Sequence, residues 1–318
     1  MVKVRDVKKI IGKLRTSSAG GPDGIDPVIL KIAADVIAEP LTYIINKSLE
    51  SGIFPTAWKT SRITPVYKNK GEKKDCNSYR PISCLSVPSK ILETCVKIQI
   101  VEYFEQNRLF SPSQHGFRSH RSTTSALISM TNVWLDAIDK KRYAGVLSFD
   151  LSSAFDSIDS DILCKKLKLY GLDDISIKWI RDYLTERLQY VQNRSSKSMI
   201  LIVITGSPQG SVVSPIFFII LISDIDDWTS YAIIAGFADD NSATVVASTP
   251  EEVVSKLEMD AREILSFMAS NRLLANDSKT TFMMFGKRSN KNVISLDVGS
   301  AKITEQDTQK LLGLEIAN

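Results

Sequence analysis

The stretch GFADDNSA, residues 236–243, places two adjacent carboxylates, Asp239 and Asp240, between the apolar runs YAII and TVVA. Apolar runs on both sides of a short polar segment are typical of a β-hairpin, so the pattern predicts that both acids lie at its tip. Asp is also an ordinary turn residue, and turn chemistry alone is sufficient for a lone Asp-Asp pair. The rest of the sequence must decide whether the pair has a chemical role.

Further acids follow another predicted strand. Asp150 ends the apolar strand AGVLSFD, and Asp156 follows six residues later in a segment that we expect to be helical. Two strands that bring carboxylates to one sheet edge can hold a pair of divalent ions, which stabilise the attacking and leaving oxygens in phosphoryl transfer. Mg²⁺ prefers such hard oxygen ligands. The two histidines and four cysteines form no zinc-binding pattern, so carboxylate chemistry is favoured over zinc.

Composition sets the class of protein. The chain has 318 residues, 43% of them hydrophobic, which allows roughly two domains or one multi-lobed domain with a substantial core. The longest apolar run, IFFIILI at 216–222, is far shorter than the ~20 residues of a membrane helix. The basic N-terminus lacks the apolar run of a signal peptide. We therefore expect an intracellular protein with no membrane partner.

Charge is distributed unevenly along the chain. The net charge is +4, but residues 1–100 carry 17 basic and 9 acidic side chains, whereas residues 201–318 carry 9 and 15. A basic segment is most often a solvated face. The asymmetry also fits a first half that binds polyphosphate or nucleic acid and a second half that supplies carboxylates.

The order of predicted elements favours an α+β fold with an antiparallel sheet, because strands and helices alternate without a regular βαβ rhythm. Helical spacing predicts helices at about 3–15, 28–51, 88–107 and 123–140. The segment SPQGSVVSP, residues 207–215, is predicted to open another helix, with Ser207 as its N-cap and Pro208 in its first turn. KLLGLEI, residues 310–316, is predicted to be a strand.

These segments together resemble a known family. FADD at 237–240, SFDLSSAFDSID at 148–159 and SPQGSVVSP between them resemble the palm of a reverse transcriptase. More specifically, the chain resembles the non-LTR (LINE-type) retrotransposon reverse transcriptases, whose motifs occur here in order over nearly the whole chain: GPDGI at 21–25, RITPVYKNKG at 62–71, SYRPISCLSVPSKILE at 78–93, QHGFRSHRSTTSAL at 114–127, LTERLQYV at 184–191, NDSKTTFMMFG at 276–286 and KLLGLEI.

The resemblance implies a right-hand polymerase with fingers, an antiparallel palm sheet and a largely missing thumb. Lead-in helices with GPDGI would occupy 1–50 and the reverse transcriptase domain 51–318, with fingers at about 51–140, palm at about 141–300, and primer grip and start of the thumb at 301–318. The implied activity is RNA-directed DNA polymerisation, in which two Mg²⁺ ions, or Mn²⁺ in their place, promote attack of a primer 3′-hydroxyl on a dNTP. The implied partners are an RNA template and a DNA primer, in the nucleus and in cytoplasmic ribonucleoprotein.

The resemblance also implies catalytic residues. Asp150 and Asp239 would bridge the two metal ions, and Asp240 would complete the site. Lys279 matches the lysine proposed to protonate the pyrophosphate leaving group. The alternative for Lys279 is a surface lysine on a turn.

Binding residues are implied in the same way. Lys68 and Arg80 would grip the triphosphate, Phe155 would exclude a ribose 2′-hydroxyl, and the pair Gln209 and Gly210 would contact the incoming nucleotide and template. Template and primer would be contacted by Gly116, Phe117, Arg118, Leu312 and Gly313. For Phe155 core packing is the alternative, and for Gly116–Arg118 it is a helix-capping loop.

Three positions depart from the family pattern: Ser78, Ser153 and Ser207. None of them removes a metal ligand or a phosphate-gripping residue. The chain stops soon after the primer grip, and we expect neither an endonuclease nor a zinc knuckle in it. A catalytically silent, truncated remnant that only binds nucleic acid is therefore an alternative function. A group II intron or telomerase-type enzyme is another, against which GPDGI and the spacing of SYRPISCLS favour the retrotransposon type.

Overall fold

The computed structural model describes residues 1–152, 155–276, 279–287 and 293–317. Ser153, one of the departures from the family pattern, and Asp277 and Ser278 of the NDSKT segment lie outside these ranges. The described helices are α1 (Val4–Lys13), α2 (Pro27–Ile32), α3 (Ala34–Ser51), α4 (Val87–Gln106), α5 (Thr123–Asp139), α6 (Ser160–Leu169), α7 (Asp174–Leu184), α8 (Ser214–Leu221) and α9 (Pro250–Ser270).

The described strands are β1 (Thr60–Tyr67), β2 (Tyr79–Cys84), β3 (Tyr143–Ser152), β4 (Arg187–Asn193), β5 (Ser196–Lys197), β6 (Leu201–Val203), β7 (Ile233–Phe237), β8 (Asp240–Ala247), β9 (Leu274–Ala275), β10 (Thr281–Phe285), β11 (Ser295–Val298), β12 (Ala301–Thr304), β13 (Thr308–Leu311) and β14 (Leu314–Ala317). Helices and sheets are mixed along the chain, which confirms the predicted α+β class. Within the described ranges, no helix has the length and apolarity needed to span a bilayer.

The chain forms two compact units, and each unit is assembled from two separate chain segments. The first unit comprises Met1–Phe104 and Phe155–Phe217, and the second comprises Glu105–Ala154 and Phe218–Asn318. The predicted lead-in segment, residues 1–50, belongs to the same unit as residues 51–104. Each unit has its own sheet.

The sheet of the second unit carries the predicted acids. Its strands follow the order β10-β3-β8-β7 with antiparallel pairing throughout. On one face, Trp134 of α5 stacks on Phe285 of β10 with ring centroids 4.8 Å apart. On the other face, a Cβ at Gly145 would lie 2.3 Å from Val253 of α9, so that helix packs directly on the strand backbone. Two helices therefore hold β3 and β8 in place, one on each face.

The sheet of the first unit is mixed. β1 pairs antiparallel with β2 and parallel with β4. Beside it lies an aromatic cluster in which Phe54 makes edge contacts with Trp179 and Tyr183, with centroids 5.6 and 5.0 Å apart. All three side chains are fully or almost fully buried. This core fixes α7, which leads directly into β4.

The predicted start of a helix at Ser207 is wrong. The helix α8 begins at Ser214, and residues 207–213 form a loop. Gly210 has a φ of 117°, which no right-handed helix contains. The cap is supplied instead by the Ser211 hydroxyl, which accepts hydrogen bonds from the backbone N–H groups of Val213 and Ser214 at 3.1 Å.

Other local predictions also need correction. Asp156 lies in a turn, not in a helix, because α6 begins only at Ser160 with Asp159 as its N-cap. KLLGLEI is a hairpin and not one strand, since Leu312 and Gly313 both have positive φ, 48° and 89°, and reverse the chain. The helix predicted at 28–51 is divided into α2 and α3.

Candidate active site

The sheet of the second unit brings two of the predicted acids together. Asp150 on β3 and Asp240 on β8 are direct partners in the antiparallel register. Directly opposed residues point to the same face of a sheet, so both carboxylates lie on one face. Like charges in this arrangement repel and destabilise the pair of strands. A cation between them would remove that cost.

Asp239 lies on the turn that joins β7 to β8. Phe237 pairs with Asp240, which leaves a two-residue turn, Ala238 and Asp239. Ala238 has a φ of 61°, at the first turn position, where a type II′ hairpin usually has glycine. The prediction that both acids lie at a hairpin tip is confirmed.

Electrostatics distinguish these acids from ordinary surface carboxylates. Burial is the largest cause that raises the pKa of Asp239, and the charge on Asp150 raises it further. Burial likewise raises the pKa of Asp240, followed by the charges on Asp239 and Asp150. The Lys279 ammonium lowers the pKa of both. The three carboxylates therefore act on one another and favour a positive charge among them.

Lys279 supplies one such charge. Its Nζ lies 2.6 Å from Oδ2 of Asp150, whose side chain is 16% exposed. The backbone supports this contact, since Asn276 N–H donates to the Asp150 carbonyl and Lys279 N–H donates to the Asn276 carbonyl, both at 3.0 Å. The Lys279 side chain is itself 62% exposed, so it is a surface lysine whose ammonium contacts Asp150, and its catalytic role stays a prediction.

The donor set fits a hard divalent cation. Asp150 and Asp240 line a cavity of about 400 Å³, together with Ser148. The buried Ser148 hydroxyl oxygen has no hydrogen-bond partner among the residues that the structure describes. Oxygen donors of this kind suit hard ions. No group of three or more His, Cys, Asp or Glu side chains in the described ranges is arranged to hold an ion.

The same cavity reaches the predicted primer grip. Leu312 and Gly313, on the turn between β13 and β14, line it along with Lys279. Gln309 on β13 donates through Nε2 to the Thr281 hydroxyl at 2.5 Å, which ties this hairpin to β10. The structure thus places Asp150, Asp240, Lys279 and the predicted primer-grip residues Leu312 and Gly313 around one cavity.

The predicted nucleotide-binding residues lie in the first unit. Gln209 donates from Nε2 to Oδ2 of Asp156 at 3.0 Å, and its carbonyl accepts from Ser83 N–H at 2.7 Å. A Cβ at Gly210 would lie 2.8 Å from the Ser83 carbonyl oxygen, so only glycine fits there. Burial raises the pKa of Asp156, and its bond with Gln209 opposes that rise. Phe155 is half-buried, and its carbonyl accepts from Ser207 N–H at 2.8 Å.

The predicted phosphate-gripping cations are exposed on the sheet of the first unit. Lys68 follows β1 and Arg80 lies on β2. Lys68 donates through Nζ to the Asn77 carbonyl at 2.9 Å and through its backbone N–H to the Ser78 carbonyl at 2.8 Å. These contacts fix the loop between β1 and β2 while leaving both positive groups open to solvent.

Arg118 is placed differently from a template-binding side chain. Its guanidinium is bidentate to Glu105 at 2.8 and 2.9 Å, donates to the Ser111 carbonyl at 2.7 Å, and stacks over Phe110. Only 10% of the side chain is exposed. Phe117 is 42% exposed, so in this predicted trio it is Phe117 that presents a free surface.

Two buried polar residues escaped the sequence prediction. Glu93 on α4 accepts through Oε2 from the Ser211 hydroxyl and Val212 N–H, both at 2.8 Å, and so holds the loop that carries Gln209. Gln114 accepts from Ala238 N–H at 2.9 Å, at the turn that carries Asp239. The available signals were weak: an acid within the apolar segment KILETCV, and a glutamine two residues before a glycine.

Comparison with known proteins agrees with this arrangement. The family described as reverse transcriptase (RNA-dependent DNA polymerase) matches residues 70–316. The chain is 30% identical over 260 residues to the RNA-directed DNA polymerase from mobile element jockey of Drosophila melanogaster, covering 78% of this chain and 28% of that protein. It is 27% identical over 292 residues to the probable RNA-directed DNA polymerase from transposon BS of the same species, covering 88% and 32%.

A more distant similarity extends to an intron-encoded protein. The putative COX1/OXI3 intron 1 protein of Saccharomyces cerevisiae is 28% identical over 193 residues, covering 59% of this chain and 20% of that protein. The chain spans about a third of the length of the mobile-element relatives or less. The mobile-element matches cover more of the chain than the intron match does, which confirms the resemblance to non-LTR retrotransposon enzymes. The chain belongs to the reverse transcriptase (RNA-dependent DNA polymerase) family.

Proposed function

We propose that this chain carries the RNA-directed DNA polymerase activity of a non-LTR retrotransposon, extending a DNA primer on an RNA template with dNTPs. The observation that carries the proposal is the direct pairing of Asp150 with Asp240, with Asp239 on the adjoining turn and Lys279 on Asp150. Opposed carboxylates cost stability in a sheet. A function that needs both charges explains why they are paired here.

In this proposal the sheet that carries Asp150 and Asp240 belongs to the palm, at about 141–300, and strands β1 and β2 belong to the fingers, at about 51–140. Two Mg²⁺ ions, or Mn²⁺ ions, bound at the acids would activate the primer 3′-hydroxyl and stabilise the charge on the leaving oxygens. Asp150, Asp239 and Asp240 would hold the ions. Lys279, which already lies 2.6 Å from Asp150, would hold the proton that the pyrophosphate takes up.

The remaining roles concern binding and orientation. Lys68 and Arg80 would bind the triphosphate, since exposed cations suit developing phosphate charge. Phe155, Gln209 and Gly210 would orient the sugar and base. Gly116, Phe117 and Arg118 would lie along the template, with Arg118 acting through the loop that it braces. Leu312 and Gly313 would contact the primer, and copying would take place in the nucleus and in cytoplasmic ribonucleoprotein.

Single-nucleotide extension of a DNA primer on an RNA template tests the proposal. The parent chain is expected to add one nucleotide in Mg²⁺, and the double variant Asp239→Ala, Asp240→Ala is expected to add none. Asp227→Ala, which removes an exposed acid from the same unit, is the matched control and should behave as the parent.

The silent-remnant alternative makes the opposite prediction. It expects binding of primed RNA that is unaffected by Asp239→Ala, and no incorporation by either form. Incorporation by the parent that survives the double substitution would refute the assignment of the acids.

A further inference from the structure

The turn that carries Asp239 is held from outside its own hairpin. Gln114 is 4% exposed, and its Oε1 accepts two backbone hydrogen bonds, from Ala238 N–H at 2.9 Å and from Gly116 N–H at 2.7 Å. Its Nε2 lies 3.5 Å from the Ala238 carbonyl oxygen. One amide group therefore contacts both backbone polar groups of the residue that precedes Asp239.

The backbone around Gln114 extends the sheet at the same point. Gln114 forms a parallel bridge with Gly236 on β7. His115 N–H donates to the Gly236 carbonyl at 2.7 Å, and Gly236 N–H donates to the Ser113 carbonyl at 3.0 Å. These two hydrogen bonds make an isolated bridge beside the hairpin, and the bridge places the Gln114 side chain at the turn.

Two glycines make this close approach possible. A Cβ at Gly116 would lie 2.4 Å from Ala238 N, and a Cβ at Gly236 would lie 3.1 Å from Gln114 Nε2. Real Cβ atoms do not approach backbone nitrogen this closely, so a larger residue at 116 would push the loop and the turn apart. Packing against Ala238 therefore favours glycine at position 116, independently of any contact between Gly116 and a template.

The turn needs external support because its backbone is unfavourable. Ala238 has a φ of 61°, in the left-handed region that residues with a Cβ rarely adopt. It is also 5% exposed, so an unpaired N–H at this position would be costly. In the described ranges, Gln114 Oε1 is the acceptor of that N–H. Asn241 also supports the turn, since its Nδ2 donates to the Asp239 carbonyl at 3.0 Å. Loss of Gln114 would leave the Ala238 N–H without its acceptor and loosen the backbone that directs the Asp239 side chain.

We propose that Gln114 is a positioning residue for the metal site, which holds the turn at Ala238 so that Asp239 faces the ion bound with Asp150 and Asp240. The inference rests on the proposed function in one respect, namely that these acids bind metal. Gln114 itself touches neither the metal nor the substrate. It acts on Asp239 through the hydrogen bond that its Oε1 accepts from Ala238 N–H.

The test measures Mn²⁺ binding to the whole chain by electron paramagnetic resonance of free Mn²⁺, without primer or nucleotide. Gln114→Met keeps the side-chain length and removes Oε1, the single oxygen that accepts from Ala238 N–H and Gly116 N–H. It is expected to weaken Mn²⁺ binding by about 10-fold to 100-fold, the usual effect of losing a partner that orients a ligand. Gln114→Glu keeps an oxygen at the acceptor position and is expected to bind Mn²⁺ within about threefold of the parent.

Asp260→Asn is the matched control for general destabilisation. Asp260 is 1% exposed and accepts from the N–H groups of Ser230, Tyr231 and Ala232, at the other end of β7. It therefore fixes the start of β7 but not the turn at Ala238 and Asp239. Its variant is expected to unfold more easily and to bind Mn²⁺ as the parent does.

Three results would overturn the inference: an unchanged Mn²⁺ affinity in Gln114→Met, an equal loss in Asp260→Asn, or no Mn²⁺ binding by the parent. Primer extension is measured separately. If the parent binds Mn²⁺ in a Gln114-dependent way but does not extend a primer, the proposed polymerase activity fails and the positioning role stands. If it does both, kcat should fall in Gln114→Met with little change in KM for the dNTP, because the lost interaction acts in the transition state.

Discussion

Removal of the Glu93 carboxylate tests whether a buried acid holds the loop that carries Gln209. Glu93 is fully buried and accepts three hydrogen bonds, from the Ser89 hydroxyl, the Ser211 hydroxyl and Val212 N–H, each at 2.8 Å. Glu93→Leu leaves these donors without their acceptor, while Glu93→Gln keeps an oxygen for Ser211 and Val212. The two variants therefore separate the hydrogen bonds from the charge.

The magnitude follows from the donors left unpaired. A buried donor without a partner costs about 1–3 kcal/mol. The Ser89 hydroxyl can rotate to another acceptor, so two donors, on Ser211 and Val212, determine the loss. We expect Glu93→Leu to lower the free energy of unfolding by about 3 kcal/mol, a large part of the ~5–15 kcal/mol that stabilises a folded protein. Glu93→Gln should cost less than about 1.5 kcal/mol.

Urea unfolding followed by tryptophan fluorescence measures the change, and hydrogen exchange of peptides covering 207–214 localises it. Exchange in this loop should accelerate in Glu93→Leu and stay close to the parent's in Glu93→Gln. Glu39→Leu alters an exposed acid on helix α3 of the same unit and should shift stability by no more than about 0.5 kcal/mol. The reasoning is refuted if Glu93→Leu unfolds like the parent, or if Glu93→Gln is as damaging as Glu93→Leu.

Three further outcomes follow from contacts described above. Hydrogen bonds from Arg118 lower the pKa of Glu105 below its ordinary 4.5. This ion pair therefore stabilises the fold above pH 4.5, and the stabilisation is lost as the pH falls through the lower pKa of the folded state. The difference in urea midpoint between the parent and Glu105→Gln should be present at pH 7 and disappear in acid. In metal-free buffer at pH 7, Asp240→Asn should raise the melting temperature, because burial and neighbouring charge raise the pKa of Asp240 and make its ionised form unfavourable. Added Mn²⁺ should stabilise the parent more than it stabilises the variant. The gain for the parent should be about 1.4 kcal/mol for each tenfold excess of Mn²⁺ over its dissociation constant. Gly210→Ala should destabilise the protein by about 1–3 kcal/mol, because Gly210 has a φ of 117° and a Cβ there would lie 2.8 Å from the Ser83 carbonyl oxygen. Gly12→Ala is the control in the same melting experiment. It should be neutral or slightly stabilising, because Gly12 lies in helix α1 and a Cβ there would meet no atom within 4 Å.

Local sequence patterns predicted the elements whose contacts are local or strongly periodic. The apolar runs on both sides of Asp239 and Asp240 indicated the hairpin, and the run before Asp150 indicated β3. Hairpin pairing and alternation depend on residues a few positions apart, so they are written in the sequence itself. The order of family motifs then identified which acids act together.

The buried polar contacts could not be predicted in this way. Glu93 reaches residues 118 and 119 positions away, and Gln114 reaches a residue 124 positions away. No local rule connects such partners. The false helix start at Ser207 has a related cause: serine and proline there match a capping pattern, but the packing of Gly210 against Ser83 prevails over it.

The interleaving of chain segments in the two units has a consequence for biosynthesis. A ribosome delivers Met1–Phe104 first, but the first unit lacks its second segment until Phe217 has been made. Residues 105–154, which belong to the other unit, are made next. Their sheet stays incomplete until strands β7, β8 and β10 have been made. Domains made of one continuous segment can fold in turn as they emerge. Here β3 has no partner strand until β8 (Asp240–Ala247) has been made, so nascent chains halted between residues 152 and 240 should be the ones that aggregate or recruit chaperones.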